Sequence, residues 1–106
     1  MEKEAKDIAI ELSGFREVEV DAMDLIDKML QKQKHKILTR TIRPERLHIT
    51  LKPVHKREKS EIYEIHANLF DNGKLIASEA EDRNLLTAID LSLTRIIKEL
   101  EKKNKD

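Results

Sequence analysis

The apolar residues of this chain repeat with two different periods, and this change of period constrains the fold most. From Leu47 to Leu51, and again from Tyr63 to Leu69, apolar residues occupy every second position. Such alternation is typical of strands with one buried face. Near the C-terminus the apolar residues instead follow the i, i+3, i+4 spacing of a helix. They are Leu86, Ile89, Leu93, Ile96, Ile97 and Leu100.

The N-terminal third shows the same change of period. Between Ile8 and Leu12 apolar residues alternate with charged or small ones, which predicts a strand ending at the Ser13-Gly14 turn. From residue 21 to the mid-thirties the apolar residues share one helical face, and Asp21 or a neighbour is the predicted N-cap. This helix is predicted to form a right-handed crossover to the second strand.

Two hairpins are predicted in the second half. The charged segment 55–60 is interpreted as the connection between the second and third strands, with Pro53 at the edge or end of the second. The Asp71-Asn72-Gly73 sequence is a strong hairpin signal that precedes a fourth strand.

The fourth strand is predicted to run from Lys74 to about Ser78. The acidic segment 79–82 should then open the last helix, because the helix dipole favours acids at its N-terminus. The predicted fold is α+β, in the order β-α-β-β-β-α, with two helices packed on one face of a four-stranded sheet.

The bulk composition limits the class of protein. A chain of 106 residues predicts a single domain spanning 1–106, and the absence of cysteine excludes disulfides. There is no apolar run long enough to span a membrane, and the acidic start does not resemble a signal peptide. We therefore expect a cytoplasmic protein that does not contact membranes and is a monomer when free.

The charges are balanced overall but unevenly placed. Lysine plus arginine and aspartate plus glutamate each number 21, yet residues 31–58 contain nine basic and two acidic side chains. On the first helix Lys28, Lys32 and Lys36 share one face, roughly opposite the apolar face. On the last helix a second basic line lies opposite the apolar stripe, as expected at about 100° per residue. It consists of Arg95, Lys98, Lys102 and Lys105.

Two such lines on neighbouring helices are the pattern expected for binding a nucleic-acid backbone. A lone lysine stripe is more often just a solvated helix face, so spacing alone does not decide between these interpretations. The aromatic residues are few, namely Phe15, Tyr63 and Phe70. We therefore expect recognition of phosphates and shape, with no stacking platform for bases.

Little in the sequence suggests catalysis or a cofactor. The four histidines are His35, His48, His55 and His66, and without a cysteine or an HxxxH pair they are interpreted as surface residues and not as metal ligands. Glu64 and His66 could form an acid/base pair, but the chain offers no nucleophile or glycine-rich loop beside them. We expect no enzyme activity, cofactor, metal or small-molecule substrate.

Segment 13–23, SGFREVEVDAM, is similar to the motif TGxNVEVTxAL. This motif opens the ribosome hibernation-promoting factors, a family also called ribosome-associated inhibitor or protein Y, which the sequence therefore resembles. Segment 63–106 is similar to the family's closing pattern of strand, glycine hairpin and strand followed by AID, DKL and RQL. The matching triplets here are Ala88-Ile89-Asp90, Thr94-Arg95-Ile96 and Lys98-Glu99-Leu100.

This resemblance implies a protein that binds the small ribosomal subunit in the channel for messenger and transfer RNA and stops translation in starved cells. It assigns ribosomal RNA contacts to Arg95, Lys98 and Lys102 by motif, and to Lys28, Lys32 and Lys36 by helix face. The sequence ends after the last helix, so it resembles the short members, and any effect on ribosome dimerisation should be indirect.

Two alternatives stay open at this point. A double-stranded RNA-binding domain has a similar α-β-β-β-α order, but it requires a basic N-terminus on its last helix, where this chain has SEAEDRN. A protein-protein adaptor would pair through its sheet and leave the helix charges solvated. It should form sheet dimers at low concentration and bind nucleic acid negligibly.

Overall fold

The computed structural model describes residues 6–57 and 60–103, except the side chains of 53–57 and 60. Its elements follow the predicted order β-α-β-β-β-α, which confirms the α+β fold. They are β1 (Ala9–Ser13), α1 (Val20–Leu38), β2 (Pro44–Arg57), β3 (Ser60–Asp71), β4 (Lys74–Asp82) and α2 (Leu85–Lys103).

The sheet has the strand order β1-β2-β3-β4. β1 runs parallel to β2, as a helical crossover between neighbouring strands requires, whereas β2, β3 and β4 pair antiparallel. β1 and β4 are thus the two edges, and both helices lie on the same face. None of the helices in the described part of the chain is long and apolar enough to cross a bilayer.

Strand alternation places one residue in two against the helices. Ile49, Ile65 and Leu69 are completely buried there, and the core continues into both helices. The helix residues in the core are Ile26, Leu30, Ile37, Ala88, Ile89, Leu93, Ile96, Ile97 and Leu100. The opposite face of the sheet, called the open face below, carries the alternate side chains of each strand.

The turn after β1 requires glycine for two reasons. Gly14 has φ +85°, a conformation that side chains rarely adopt, and a Cβ there would lie 2.1 Å from the backbone oxygen of Leu51. The turn therefore rests directly on β2. The buried Phe15 follows and closes the end of the core.

The predicted Asn-Gly hairpin is confirmed between β3 and β4. Asn72 has φ 54° and Gly73 has φ 76°, the pair of positive values that a tight hairpin turn needs. The neighbouring Asp71 is buried, and its carboxylate accepts the backbone N–H groups of Ile42 and Arg43 at 3.1 and 2.7 Å. This carboxylate fixes the link between α1 and β2 against the hairpin.

The hairpin between β2 and β3 is longer than predicted. β2 continues to Arg57 and β3 begins at Ser60, so most of the charged segment 55–60 is strand; residues 58–59 lie outside the described part. Pro53 lies inside β2, opposite Tyr63. β1 pairs only with residues 46–50, so β2 is an edge at Pro53, where a missing N–H is tolerated.

The predicted start of the last helix is wrong. Segment 79–82 completes β4, and the first turn of α2 contains no acid. The helix is capped by Asn84, whose Oδ1 accepts the backbone N–H of Thr87 at 3.0 Å. Ala80 is buried and continues the alternation of β4, so packing and not the dipole decides where the acids lie.

The first helix begins one residue before its predicted start. Its N-cap is Glu19, which makes no side-chain capping hydrogen bond, and Asp21 lies in the first turn and not at the cap. An acid in that turn still complements the dipole.

Candidate nucleic-acid interface

Two polar contacts fix the relative direction of the helices. The Nε2 of Gln33 donates to the Oδ1 of Asp90 at 2.5 Å, and the Nε of Arg40, just beyond α1, donates to the Oε2 of Glu101 at 2.9 Å. Residues near the start of α1 therefore lie beside residues near the start of α2, and the same holds for the residues near their ends. The helices run side by side in the same direction, and their C-terminal ends meet at one end of the sheet.

The basic line of α1 lies on its outer surface. Lys28, Lys32 and Lys36 are exposed, whereas Ile26 and Leu30 on the other side of the helix are buried. Among the described residues none of these three ammonium groups has a hydrogen bond or ion pair. Their charges are therefore available to a ligand.

The basic line of α2 is also exposed, but its members differ in their contacts. Arg95 donates from Nη1 to the backbone oxygen of Glu79 on β4, and Lys102 lies 4.0 Å from a Glu99 carboxylate oxygen. Lys98 has no partner within residues 6–57 and 60–103. Lys105 lies outside the described residues, so its place in the line stays a prediction.

A groove separates α2 from the free edge of β4. Its volume is about 620 Å³; one wall is formed by β4 residues 75–79 and the other by Arg95, Lys98, Glu99, Lys102 and Lys103. Lys103 is not among the cations predicted from the sequence to contact RNA. The groove could not be predicted from the spacing of apolar residues. It forms because β4 is an edge strand, so no further strand fills the space beside α2 in the described part of the chain.

Not every cation of the basic segment 31–58 is available. Lys34 lies 2.7 Å from the Oδ1 of Asp7. The hydrogen bond from this ammonium group, followed by that from the backbone of Ile8, lowers the pKa of the Asp7 carboxyl. Lys34 is thus turned toward the N-terminal segment, while Lys32 and Lys36 face outward.

The three aromatic side chains offer no stacking platform. Phe15 is buried and Tyr63 is half-buried. Phe70 lies on the open face, where the Arg46 guanidinium covers its ring at 4.5 Å from the centroid. The expectation that bases are not stacked on aromatic rings stays a prediction.

The structure separates the two histidines of neighbouring strands. His48 contacts the hydroxyl of Ser13 through Nε2 at 2.8 Å and lies opposite Asn68 of β3. His66 lies between Glu64 and Glu79 instead. The side chain of His55 is outside the described part.

Comparison with known proteins identifies the fold. No protein-family model matches the chain, and no curated protein matches it. Solved structures do match it, among them a ribosomal subunit interface protein from Coxiella burnetii, with TM-score 0.64 and 17% identity, and the N-terminal domain of Thermus thermophilus Protein Y, with TM-score 0.57 and 22% identity. Each match covers 93% of this chain and 100% of the other. This chain therefore shares over nearly its whole length the fold of a ribosomal subunit interface protein and of Protein Y.

Proposed function

We propose that this protein is a cytoplasmic, ribosome-associated translation inhibitor. It binds small-subunit ribosomal RNA in the channel for messenger and transfer RNA, in resting or starved cells. It acts by occupying that channel and needs no catalysis, cofactor or small-molecule substrate. The chain is a single domain and a monomer when free.

The observation that carries the proposal is the pair of exposed basic lines on two parallel helices. Three ammonium groups on α1 and that of Lys98 on α2 have no partner in the described protein. Neutralising phosphates releases condensed counterions, so exposed cations spaced along one surface favour an RNA backbone. The fold shared with a ribosomal subunit interface protein supports the ribosome as the partner.

One observation favours the adaptor alternative. β4 is an edge strand of nine residues, and in the described part no strand pairs with its outer side. An unpaired edge can add a strand from another chain. The double-stranded RNA alternative gains nothing comparable, because segment 78–84, which precedes the first turn of α2, contains three acids and a single cation, Arg83.

The test compares two triple variants by co-sedimentation with purified small ribosomal subunits. Arg95→Glu, Lys98→Glu and Lys102→Glu together should weaken binding about 100-fold or more, because each change removes a phosphate contact and adds repulsion. The matched control replaces Arg16, Lys74 and Arg83, which are exposed and lie outside both helices, with Glu.

The control has the same change in net charge and should keep its affinity within a few fold. Both variants should unfold cooperatively with nearly the wild-type free energy, because all six side chains are exposed. Equal losses of binding would show that only net charge matters and would contradict the proposed interface. Absence of binding by the wild type, together with dimers at low concentration, would favour the adaptor.

A further inference from the structure

Three potential metal ligands converge on the open face, where the helices do not reach. Glu64 and His66 are two residues apart on β3, so their side chains share a face, and His66 lies directly opposite Glu79 of β4. One donor atom from each side chain lies within 4.8 Å of the other two. All three positions are held by paired strands, which makes the arrangement more rigid than one built on a loop.

Both ring nitrogens of His66 face carboxylates. Nε2 contacts the Oε2 of Glu64, and Nδ1 lies 3.4 Å from the Oε2 of Glu79. A neutral imidazole has one N–H, so it can donate to only one of these groups and turns a lone pair toward the other. When Nε2 donates to Glu64, the lone pair of Nδ1 faces Glu79, and this contact is repulsive unless a second ring proton or a metal cation lies between them. The pairing of strands therefore creates a place that a metal cation can occupy.

The donor set and its spacing fit a divalent transition-metal ion. At bond lengths of about 2.0 to 2.2 Å, two ligands of a tetrahedral ion lie roughly 3.3 to 3.6 Å apart, close to the separation between Nδ1 of His66 and Glu79. Glu64 contacts the other ring nitrogen, the position of a carboxylate that orients a ligating imidazole. One imidazole and two carboxylates balance the charge of a 2+ ion and suit zinc and its neighbours. The side chains of Glu64 and His66 are 25% and 27% exposed and that of Glu79 is 68% exposed, so the site is shielded on β3 and open to solvent on β4.

We propose that Glu64, His66 and Glu79 form a binding site for one divalent transition-metal ion such as Zn²⁺, with solvent completing its coordination. The ion joins β3 to β4 on the face of the sheet opposite both basic helix surfaces. At the edge of β4 the site adjoins the proposed RNA interface, because Glu79 also lines the groove beside Arg95. The third donor follows from the register between β3 and β4, which is why the sequence alone predicted no metal site.

The test is calorimetric titration of the untagged full chain with ZnCl₂. The wild type should bind one ion per chain, and His66→Gln and Glu79→Gln should each weaken binding by about tenfold or more, because each removes a ligand. Glu81→Gln is the matched control on the same face of β4, opposite Glu64, and His48→Gln is the control for a neighbouring imidazole. Both controls should bind within about twofold of the wild type.

Folding of the variants is checked by urea denaturation in the presence of a chelator. A second measurement uses the wild type alone, so its result does not depend on how any variant folds. Long-range ¹H-¹⁵N NMR identifies which histidine ring has nitrogen resonances that shift when Zn²⁺ is added. The ring of His66 should shift. Absence of zinc binding, binding unaffected by His66→Gln or Glu79→Gln, or a shift confined to another histidine would overturn the proposal and leave the three side chains as an ion-paired cluster.

Discussion

The open face of the sheet and the outer surface of the helices both carry many charges, but they use them differently. On the open face polar side chains lie opposite one another across strands, as with Lys52 and Glu64 or His66 and Glu79. On the helices Lys28, Lys32 and Lys98 have no partner in the described structure. Charges that pair within the protein stabilise the sheet, whereas unpaired surface cations are available to a ligand.

This comparison also explains how a chain of zero net charge can present a basic surface. Local fields depend on the arrangement of charges more than on their sum. Glu64, Glu79 and Glu81 lie on the open face, while α1 and α2 place cations on the other side of the molecule. Net charge alone would have argued against a nucleic-acid partner.

The largest expected effect contrasts neighbouring residues on the two faces of β3. Ile65 is completely buried against the helices, so Ile65→Ala should lower the free energy of unfolding by about 3 to 4 kcal/mol. His66 faces the other way, and His66→Ala should cost less than about 1 kcal/mol in a chelating buffer, because it loses only cross-strand contacts. Urea denaturation measures both. Similar costs for the two would mean that the open face is covered in solution.

A smaller effect concerns the polar contact within the helix layer. Gln33 is buried, its Nε2 donates to Asp90, and its Oε1 has no partner among the described atoms. Asp90→Ala should cost about 1 to 2 kcal/mol, because it leaves a buried donor without an acceptor.

The double variant Gln33→Leu with Asp90→Ala should recover most of that stability, since the buried amide is then gone. An additive double variant would show that the Gln33 amide is solvated and that the contact does not link the helices. If the cycle behaves as expected, the aspartate of the Ala88-Ile89-Asp90 triplet has a structural role in aligning the two basic lines.

The smallest effect is the titration of Tyr63, the only tyrosine in a chain without tryptophan. Its hydroxyl donates to the Oε2 of Glu61 at 2.9 Å, and this hydrogen bond, with burial and the carboxylate charge, raises the pKa of Tyr63 above its usual value of about 10. The folded state then holds the proton more tightly than the unfolded state does. The free energy of unfolding should therefore fall as the pH rises from about 10 through the raised pKa.

Tyrosinate absorbance reports this titration directly. Glu61→Gln should move the pKa of Tyr63 back toward its ordinary value, because the acceptor loses its charge. An unchanged titration would show that Glu61 does not contact the hydroxyl in solution.

The sequence was sufficient for the element order because each element has its own apolar period. It also predicted the turn at Asn72-Gly73, where two positive φ values are needed and only a few residue types supply them. The helix of residues 20–38 was predicted with nearly its observed bounds, since Met23, Ile26 and Leu30 keep the helical spacing.

The wrong or missing predictions have a common cause. The spacing of neighbouring residues does not show which distant segments pair in the sheet. The acids of 79–82 resembled the start of a helix. In the structure Ile76, Ser78 and Ala80 continue the alternation of β4, but Ser78 and Ala80 are small and give only a weak strand pattern in the sequence. The location of Lys103 on a groove and of Glu79 beside His66 both depend on β4 lying next to β3 at the sheet edge. The helix faces that carry the proposed RNA contacts were readable locally, whereas these cross-strand relations were not.

Binding of RNA phosphates by the two basic lines is tested most directly by the salt dependence of wild-type binding to small ribosomal subunits. Co-sedimentation should show saturable binding whose logarithmic affinity falls against logarithmic salt concentration with a slope of about −4 to −6, because roughly six cations each contact a phosphate. The variant with Arg95, Lys98 and Lys102 changed to Glu should show a slope smaller in magnitude by about 3. Absence of saturable binding at low salt, or an affinity that does not change with salt, would contradict the account and leave the two basic lines as solvated helix faces.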